Sequence, residues 1–241
     1  MGKRSVHLSI VIPAYNEEKR IGSSLETVTQ YLSQQAYESE VVVVDDGSSD
    51  DTATLVRQRY PNVRVISYEE NRGKGYAVKS GMLSAIGEYR VYYDADASTP
   101  IEELEKLWRL FEDGADIVLG SRSLPESRVE VRQSWVRQQM GRTFNLVLRL
   151  LALTSFPDTQ CGFKGFTAAA CEAVFPKSTV KGFGFDAELL YIASLQGLRI
   201  EQTPVRWVNS PESKVRMLSD SMRMLVDAFG IRLNALRGRY S

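Results

Sequence analysis

Five short apolar runs, at residues 8–12, 40–44, 63–67, 89–93 and 116–119, alternate with segments of helical pattern at 17–32, 51–60, 74–86 and 101–111. The run at 40–44 is a glutamate followed by four valines, with no polar residue between them. A strand that hides only one face alternates apolar with polar residues, whereas a strand covered on both faces reads as a continuous apolar run. Parallel neighbours also require a crossover of helical length between them. The alternation therefore predicts an α/β fold: a doubly wound, largely parallel sheet with helices on both faces.

After Gly120 the rhythm changes. A helix is expected over 132–153, with Val136, Met140, Phe144, Val147 and Leu151 on one face, and strands over 161–166 and 198–207 flank a helix at 185–196. A last amphipathic segment carries Leu218, Met222, Leu225, Phe229, Leu233 and Leu236. At 241 residues and 43% apolar content, the chain is long enough for one sizeable core, and we expect a single domain over 1–241.

Lys plus Arg and Asp plus Glu are equal at 30 each, which gives no reason to expect a nucleic-acid partner. The distribution is uneven, however. Six arginines face two glutamates between Arg122 and Arg149, and six cations face two aspartates between Lys214 and Arg239. Basic amphipathic segments suit a membrane surface. No run approaches the roughly 18 apolar residues of a spanning helix, and 1–7 lacks the apolar stretch of a secretory signal, so a cytoplasmic protein in peripheral membrane contact is expected. Cys161 and Cys171 have no metal-ligand spacing and are read as reduced thiols, and His7, the sole histidine, is read as structural.

Four motifs follow successive strands, so one edge of the sheet carries them all, where open α/β sheets place ligands. The first, Pro13-Ala14-Tyr15-Asn16-Glu17-Glu18, offers backbone groups and an aromatic face. The second, Asp45-Asp46-Gly47-Ser48-Ser49-Asp50, offers carboxylates to base or ribose donors, with Ser49 or Asp50 available to cap the next helix. In the third, Asn71 to Gly81, Gly73 and Gly75 permit close backbone approach and Lys74 is placed to meet a phosphate; the spacing is neither a Walker sequence nor a dinucleotide fingerprint. The fourth is Asp94-Ala95-Asp96-Ala97-Ser98-Thr99-Pro100, with Ser98 or Thr99 as a cap ahead of Glu102 and Glu103. Two carboxylates one residue apart repel unless a cation lies between them. Mg²⁺ or Mn²⁺ takes one or two carboxylates and completes its shell with phosphate oxygens and water, which makes a metal-bound diphosphate the ligand to consider.

Taken together, the stretches VIPAYNEE, VVVVDDGSSD, NRGKGYAV, DADAST and GSR (Gly120 to Arg122) resemble the family 2 glycosyltransferases of GT-A fold. DTQCGFKGF (Asp158 to Phe166), FDAELLYIA (Phe185 to Ala193) and the pair Ser213-Lys214 resemble the dolichyl-phosphate glucose synthase branch, with the polyprenyl-phosphate mannose synthases nearby. The resemblance runs over residues 8–235. It implies a nucleotide-sugar-binding half at 8–120 and an acceptor half at 121–241 with amphipathic interface helices. It also implies a UDP-glucose donor, Mg²⁺ or Mn²⁺ as cofactor, and a polyprenyl phosphate acceptor.

Carried over by position, Pro13, Ala14, Tyr15, Glu17, Asp45, Asp46, Gly47, Lys74, Gly75, Asp94 and Ala95 would hold the nucleotide sugar. Asp94, Asp96 and Ser98 would hold the metal. Arg122 and Lys214 would face phosphate groups, and Asp186 would lie near the reacting sugar. Arg128, Arg132, Trp135 and Gln160 would serve the acceptor or the membrane. Tyr76 stands where the family pattern has glycine, and DADAST departs from DADGAT, which bears on the choice of donor sugar. Eukaryotic members of the family usually begin with a membrane-spanning segment, which this sequence does not show, so a prokaryotic polyprenyl phosphate such as undecaprenyl phosphate is as much an expectation as dolichyl phosphate.

A phosphate monoester has its second pKa near 6 and is a nucleophile at neutral pH without a base. A sugar-hydroxyl acceptor would need one, and Asp186 is then the candidate. GDP-mannose or a UDP-amino sugar as donor, and a non-catalytic membrane-surface module, are the other readings; a receiver-type phosphorelay unit would leave the second half unexplained.

Overall fold

The computed structural model describes residues 6–130, 135–208 and 217–240, with all their side chains except those of 135–138 and 217–218. Its elements are β1 (Leu8–Ala14), α1 (Glu18–Ser33), β2 (Ser39–Asp45), α2 (Thr52–Arg59), β3 (Arg64–Ser67), α3 (Lys74–Ser84), β4 (Tyr89–Tyr93), α4 (Leu104–Glu112), β5 (Ile117–Ser121) and β6 (Arg128–Val129). There follow α5 (Trp135–Leu150), β7 (Phe163–Thr167), α6 (Ala168–Val174), α7 (Phe185–Leu195), β8 (Ile200–Pro204), β9 (Arg206–Trp207) and α8 (Met217–Leu236).

Seven strands form one sheet in the order β3-β2-β1-β4-β7-β5-β8. All neighbours are parallel except β7, which runs antiparallel to both β4 and β5. Side chains alternate across the sheet as the strand period of two requires. Val42 and Val44 enter the core under α3, α6 and α7, while Val41 and Val43 enter the opposite core under α1, α2 and α4. This mixed, mostly parallel sheet is the GT-A architecture expected from the motifs.

Several boundaries move for local reasons. The expected strand at 198–207 is β8 only over Ile200–Pro204, with Val205 still donating its amide to Ser121 O at 3.2 Å before the chain leaves the sheet. Arg206–Trp207 then pairs in parallel with Arg128–Val129 as a separate ribbon. The helix after the D-x-D loop opens as a 3₁₀ turn, Ile101–Glu103, behind Pro100, with no side-chain cap, so neither Ser98 nor Thr99 caps it. The N-cap position of α2 is Asp51, without a side-chain cap bond, rather than Ser49 or Asp50; Asp50, one residue earlier, accepts from the Thr52 amide at 3.1 Å. In α5, Phe144 is buried beside Leu148 rather than facing outward.

Candidate active site

The ends of β1, β2 and β4 and the loop after β3 surround a cleft of about 730 Å³. Pro13, Ala14, Tyr15, Asn16, Glu17, Arg20, Asp46, Asn71, Gly73, Lys74, Ala77, Asp94, Ala95 and Asp96 line it on the sheet side. Gly182, Phe183 and the start of α8, with Ser219, Asp220 and Arg223, form the other wall.

Turn chemistry joins the first two motifs. Asn16 adopts a left-handed backbone (φ 54°), its N–H donates to Ser48 Oγ at 2.8 Å, and its side-chain Oδ1 accepts from the Ser49 amide at 2.8 Å. Glu17 donates its amide to Thr52 Oγ1, and its carboxylate holds Arg20 through two contacts of 2.7 Å. The acidic side chain expected at the nucleotide is thus paired, and it fixes a guanidinium at the cleft wall.

Asp46 lines the cleft while accepting the amides of Arg72 (2.9 Å) and Gly73 (2.8 Å), which ties the second motif to the third. Burial raises its pKa despite those donors. Asp45 is buried outside the lining and accepts from the Ser48 amide at 3.3 Å. Gly47 (φ 72°) serves the turn: a Cβ there would meet the Glu70 carbonyl carbon at 2.4 Å. Gly75 also differs from expectation. Its close approach is to the segment before α7, since its amide donates to Lys181 O at 2.7 Å and a Cβ would meet Val180 O at 2.6 Å.

At the cleft floor Lys74 Nζ lies 2.7 Å from Asp94 Oδ1. Burial works against the lysine charge, but Asp94, Asp186 and Asp96 outweigh it and the Lys74 pKa is raised. The Asp94 amide donates to Gly162 O at 3.0 Å, and Gly162 is the space the carboxylate needs, because a Cβ there would sit 1.9 Å from Asp94 Oδ2. Asp96 Oδ1 accepts from the Ser98 amide at 3.0 Å, across Ala97 at φ 50°.

Ser98 Oγ is buried without a hydrogen-bond partner. A buried hydroxyl left unsatisfied is costly, and this one belongs to the residue whose amide donates to Asp96; hydroxyl and carboxylate oxygens are the hard donors that Mg²⁺ or Mn²⁺ takes. Among the described residues no cluster of three or more His, Cys, Asp or Glu could enclose an ion. The donor set therefore fits an ion that takes much of its shell from a phosphate and water.

Asp186 is 6% exposed and does not line the cleft. Its Oδ1 accepts from Tyr92 Oη and from Lys164 Nζ at 2.7 Å. Lys164 also donates to Tyr92 Oη at 2.5 Å, and the two residues face each other across the β4–β7 ladder. Burial and the Asp186 carboxylate hold the Tyr92 phenol well above its usual pKa, so it remains a donor. Glu188 is structural: it is fully buried and accepts from the Thr179 and Val180 amides, the Thr179 hydroxyl and Tyr240 Oη.

Arg122 is likewise engaged away from the cleft. Its Nε and Nη2 grip Asp158 at 2.8 and 2.7 Å, its amide donates to the same carboxylate, and its guanidinium lies 5.4 Å from the Trp207 ring centre. Burial alone would raise the Asp158 pKa, but the arginine outweighs it and holds the carboxyl at about 2, from an ordinary 3.8. A depressed folded value stabilises the fold above the unfolded pKa and is lost as pH falls through the folded one. Asp158 should therefore contribute about 2 kcal/mol at neutral pH, lost between about pH 4 and pH 2. Acid unfolding of Asp158→Asn, compared with the unsubstituted protein, should show that dependence flattened in this window.

Gln160 bonds Asp158 Oδ1 through its amide (3.2 Å) and Met224 Sδ through its side chain (3.5 Å), joining this pair to α8. Arg128 is exposed on β6, outside the cleft lining. Lys214, Arg132 and the Trp135 side chain lie outside the described residues. Arg20, Asp158, Lys164 and Arg223 were missed as site residues. A lysine inside the apolar stretch CGFKGF was the available signal for Lys164, and the Glu17/Arg20 spacing of three was the signal for Arg20. Nothing set Arg223 apart from the other cations of its segment.

The family model for glycosyl transferase family 2 matches residues 9–175. A dolichyl-phosphate beta-glucosyltransferase of Dictyostelium discoideum is 33% identical over 97% of this chain and 76% of its own length. Proteins of the same description from Drosophila melanogaster and Homo sapiens are 36% and 35% identical, over 98% and 97% of this chain and 77% of each relative. Among solved structures, glucosyl-3-phosphoglycerate synthase of Mycobacterium tuberculosis in complex with UDP superposes with a TM-score of 0.69 at 23% identity, covering 97% of this chain and 80% of that one. The same enzyme with Mn²⁺, UDP-glucose and phosphoglyceric acid gives 0.67 at 22% identity, covering 94% and 79%.

Proposed function

Because the chain belongs to glycosyltransferase family 2 and is a glycosyltransferase, we propose that its cleft moves glucose from UDP-glucose onto a polyprenyl phosphate, dolichyl or undecaprenyl, with inversion, at a membrane surface. The observation that carries this is one cleft lined by a lysine and two carboxylates on one side and by a helix with an exposed apolar stripe on the other. Lys74, Asp94 and Asp96 line one side and the start of α8 the other, with the unpartnered Ser98 hydroxyl buried behind the lining, two residues beyond Asp96.

Pro13, Ala14, Tyr15 and Asp46 face the nucleoside, with Arg20 steadied by Glu17 beside them. Lys74, kept protonated by its carboxylate neighbours, meets the diphosphate. Asp94, Asp96 and Ser98 would hold Mg²⁺ or Mn²⁺, which when bound offsets the charge growing on departing UDP. The acceptor phosphate is a dianion at neutral pH and attacks the anomeric carbon without prior proton removal.

Asp186 supports this reading over a sugar-hydroxyl acceptor. A base must reach the proton it removes. Asp186 lies behind the lining, with Tyr92 and Lys164 donating to its Oδ1. Its part is electrostatic, in supporting the Lys74 charge.

Membrane contact rests on α8. Met222, Val226, Phe229, Leu233 and Leu236 are 46–73% exposed and recur at helical spacing along one face. On α5, Leu146 and Leu150 are also exposed, and both helices carry exposed arginines, Arg142, Arg149 and Arg223. No helix among the described residues is long and apolar enough to cross a membrane. Changing Phe229 and Leu233 together to serine should cut binding to anionic vesicles at least about tenfold with little loss of stability. Phe144→Ser, which opens the core, should instead cost several kcal/mol of folding, on the order of 3. Vesicle sedimentation and thermal unfolding separate the two.

The donor assignment is tested by offering radiolabelled UDP-glucose, UDP-N-acetylglucosamine and GDP-mannose with a polyprenyl phosphate, with and without Mn²⁺ or Mg²⁺. Metal-dependent lipid labelling from UDP-glucose is expected. Labelling from another donor alone would overturn the sugar assignment.

A further inference from the structure

Three cations line the cleft: Arg20, Lys74 and Arg223. Two are committed, Arg20 to Glu17 at 2.7 Å and Lys74 to Asp94 at 2.7 Å. Arg223 is exposed, and among the described residues no carboxylate pairs with it; Asp220 shares its wall and has interactions of its own. An unpaired guanidinium facing a cleft is suited to a dianionic oxygen group, which it grips through parallel N–H donors.

Its position on α8 narrows the ligand. Arg223 follows Met222, the first of the exposed apolar residues that continue through Val226, Phe229, Leu233 and Leu236. At about 1.5 Å of rise per residue, that stripe runs on for roughly 20 Å from the cleft wall. One helix thus presents a cation to the cleft and an apolar track leading away from it. A free phosphate or the diphosphate of a nucleotide would use the cation alone, whereas an amphiphile with a phosphate head and an apolar chain matches both.

Resting on the reading of the cleft given above, we propose that Arg223 is the acceptor-recognition residue: it binds the phosphate monoester of the prenyl acceptor while the stripe on α8 takes the first part of its chain into the apolar layer. Arg223 thereby sets which lipid enters, distinguishing a monophosphate from the alcohol, and it does not hold the donor.

The test measures donor and acceptor dependence separately in the full chain. Arg223→Ala should raise KM for the prenyl phosphate at least about tenfold, the loss expected when a charge-assisted pair is removed, and leave KM for UDP-glucose within about twofold. Arg223→Lys should recover part of it, because a lysine restores the charge without the fork. A turnover-free arm uses vesicles carrying either the prenyl monophosphate or the prenol: the unsubstituted protein should prefer the phosphate, and Arg223→Ala should lose that preference. A raised KM for UDP-glucose alone, unchanged constants for both substrates, or an unchanged vesicle preference would overturn the proposal. Absence of sugar transfer by the unsubstituted protein would overturn the reading of the reaction, and the vesicle arm would still decide the role of Arg223.

Discussion

Asp94→Asn is expected to lower metal-dependent transfer by at least about 100-fold while leaving the thermal unfolding midpoint within a few degrees. Asparagine keeps the shape of the side chain and fits the space left by Gly162, so the fold has little reason to respond. What disappears is charge. Asp94 is the ion-pair partner of Lys74 at 2.7 Å and one of two carboxylates in the proposed metal site, so the substitution weakens both groups proposed to meet the donor diphosphate. A titration of Mn²⁺ against turnover should show a raised metal requirement as well as a lower maximum; unchanged activity would remove Asp94 from the site. Gly162→Ala approaches the same carboxylate from the other side, since the added Cβ would lie 1.9 Å from Asp94 Oδ2, and a comparable loss is expected from an apolar change that touches no ligand directly.

Lys164→Met should have the largest effect on stability. Lys164 is 1% exposed and donates to Asp186 Oδ1, Tyr92 Oη and Cys161 O. Removing it leaves the Asp186 carboxylate buried without its counter-charge, a loss of about 3–5 kcal/mol. For a chain of this size the unfolding midpoint should fall by roughly 10 °C. The double change Lys164→Met with Asp186→Leu should recover part of the stability, because replacing both members of a buried pair by apolar groups avoids the unpaired charge. Thermal unfolding of the three variants tests this; a Lys164→Met midpoint close to that of the unsubstituted protein would contradict it.

What could be read along the chain was whatever is encoded locally. β2 announces itself by four unbroken valines, β1 and β4 are mostly apolar runs interrupted only by Ser9 and Arg90, and the range 89–93 coincides with β4. The antiparallel course of β7 is not written in its apolar residues, because orientation is decided by its two neighbours. α6 escaped because Ala-Ala-Ala-Cys-Glu-Ala-Val has no amphipathic period; its Thr167 cap, which accepts from the Ala170 amide, is the local signal that marks it.

The site divides in the same way. Asp94 and Asp96 are legible because their meaning lies in a spacing of two residues. Asp186, Lys164 and Tyr92 are distant in sequence and meet only through sheet register and the packing of α7. Arg122 looked like a free cation because its partner, Asp158, lies 36 residues away. The basic amphipathic helices were visible as a pattern, but which face is exposed is set by packing: Phe144 turned inward while Val226, absent from the expected stripe, turned outward.

The central claim is that this cleft glycosylates a phosphate monoester rather than a hydroxyl. Its most direct test supplies UDP-glucose and divalent metal with a prenyl phosphate or with the matching prenol, measuring UDP released and glucose attached to lipid. The account predicts equal amounts of UDP and glucosyl lipid with the phosphate, and none with the alcohol. Glucosylation of the prenol at a comparable rate would contradict it, because Asp186, the base a hydroxyl acceptor would call on, lies behind the cleft lining and accepts from Tyr92 and Lys164.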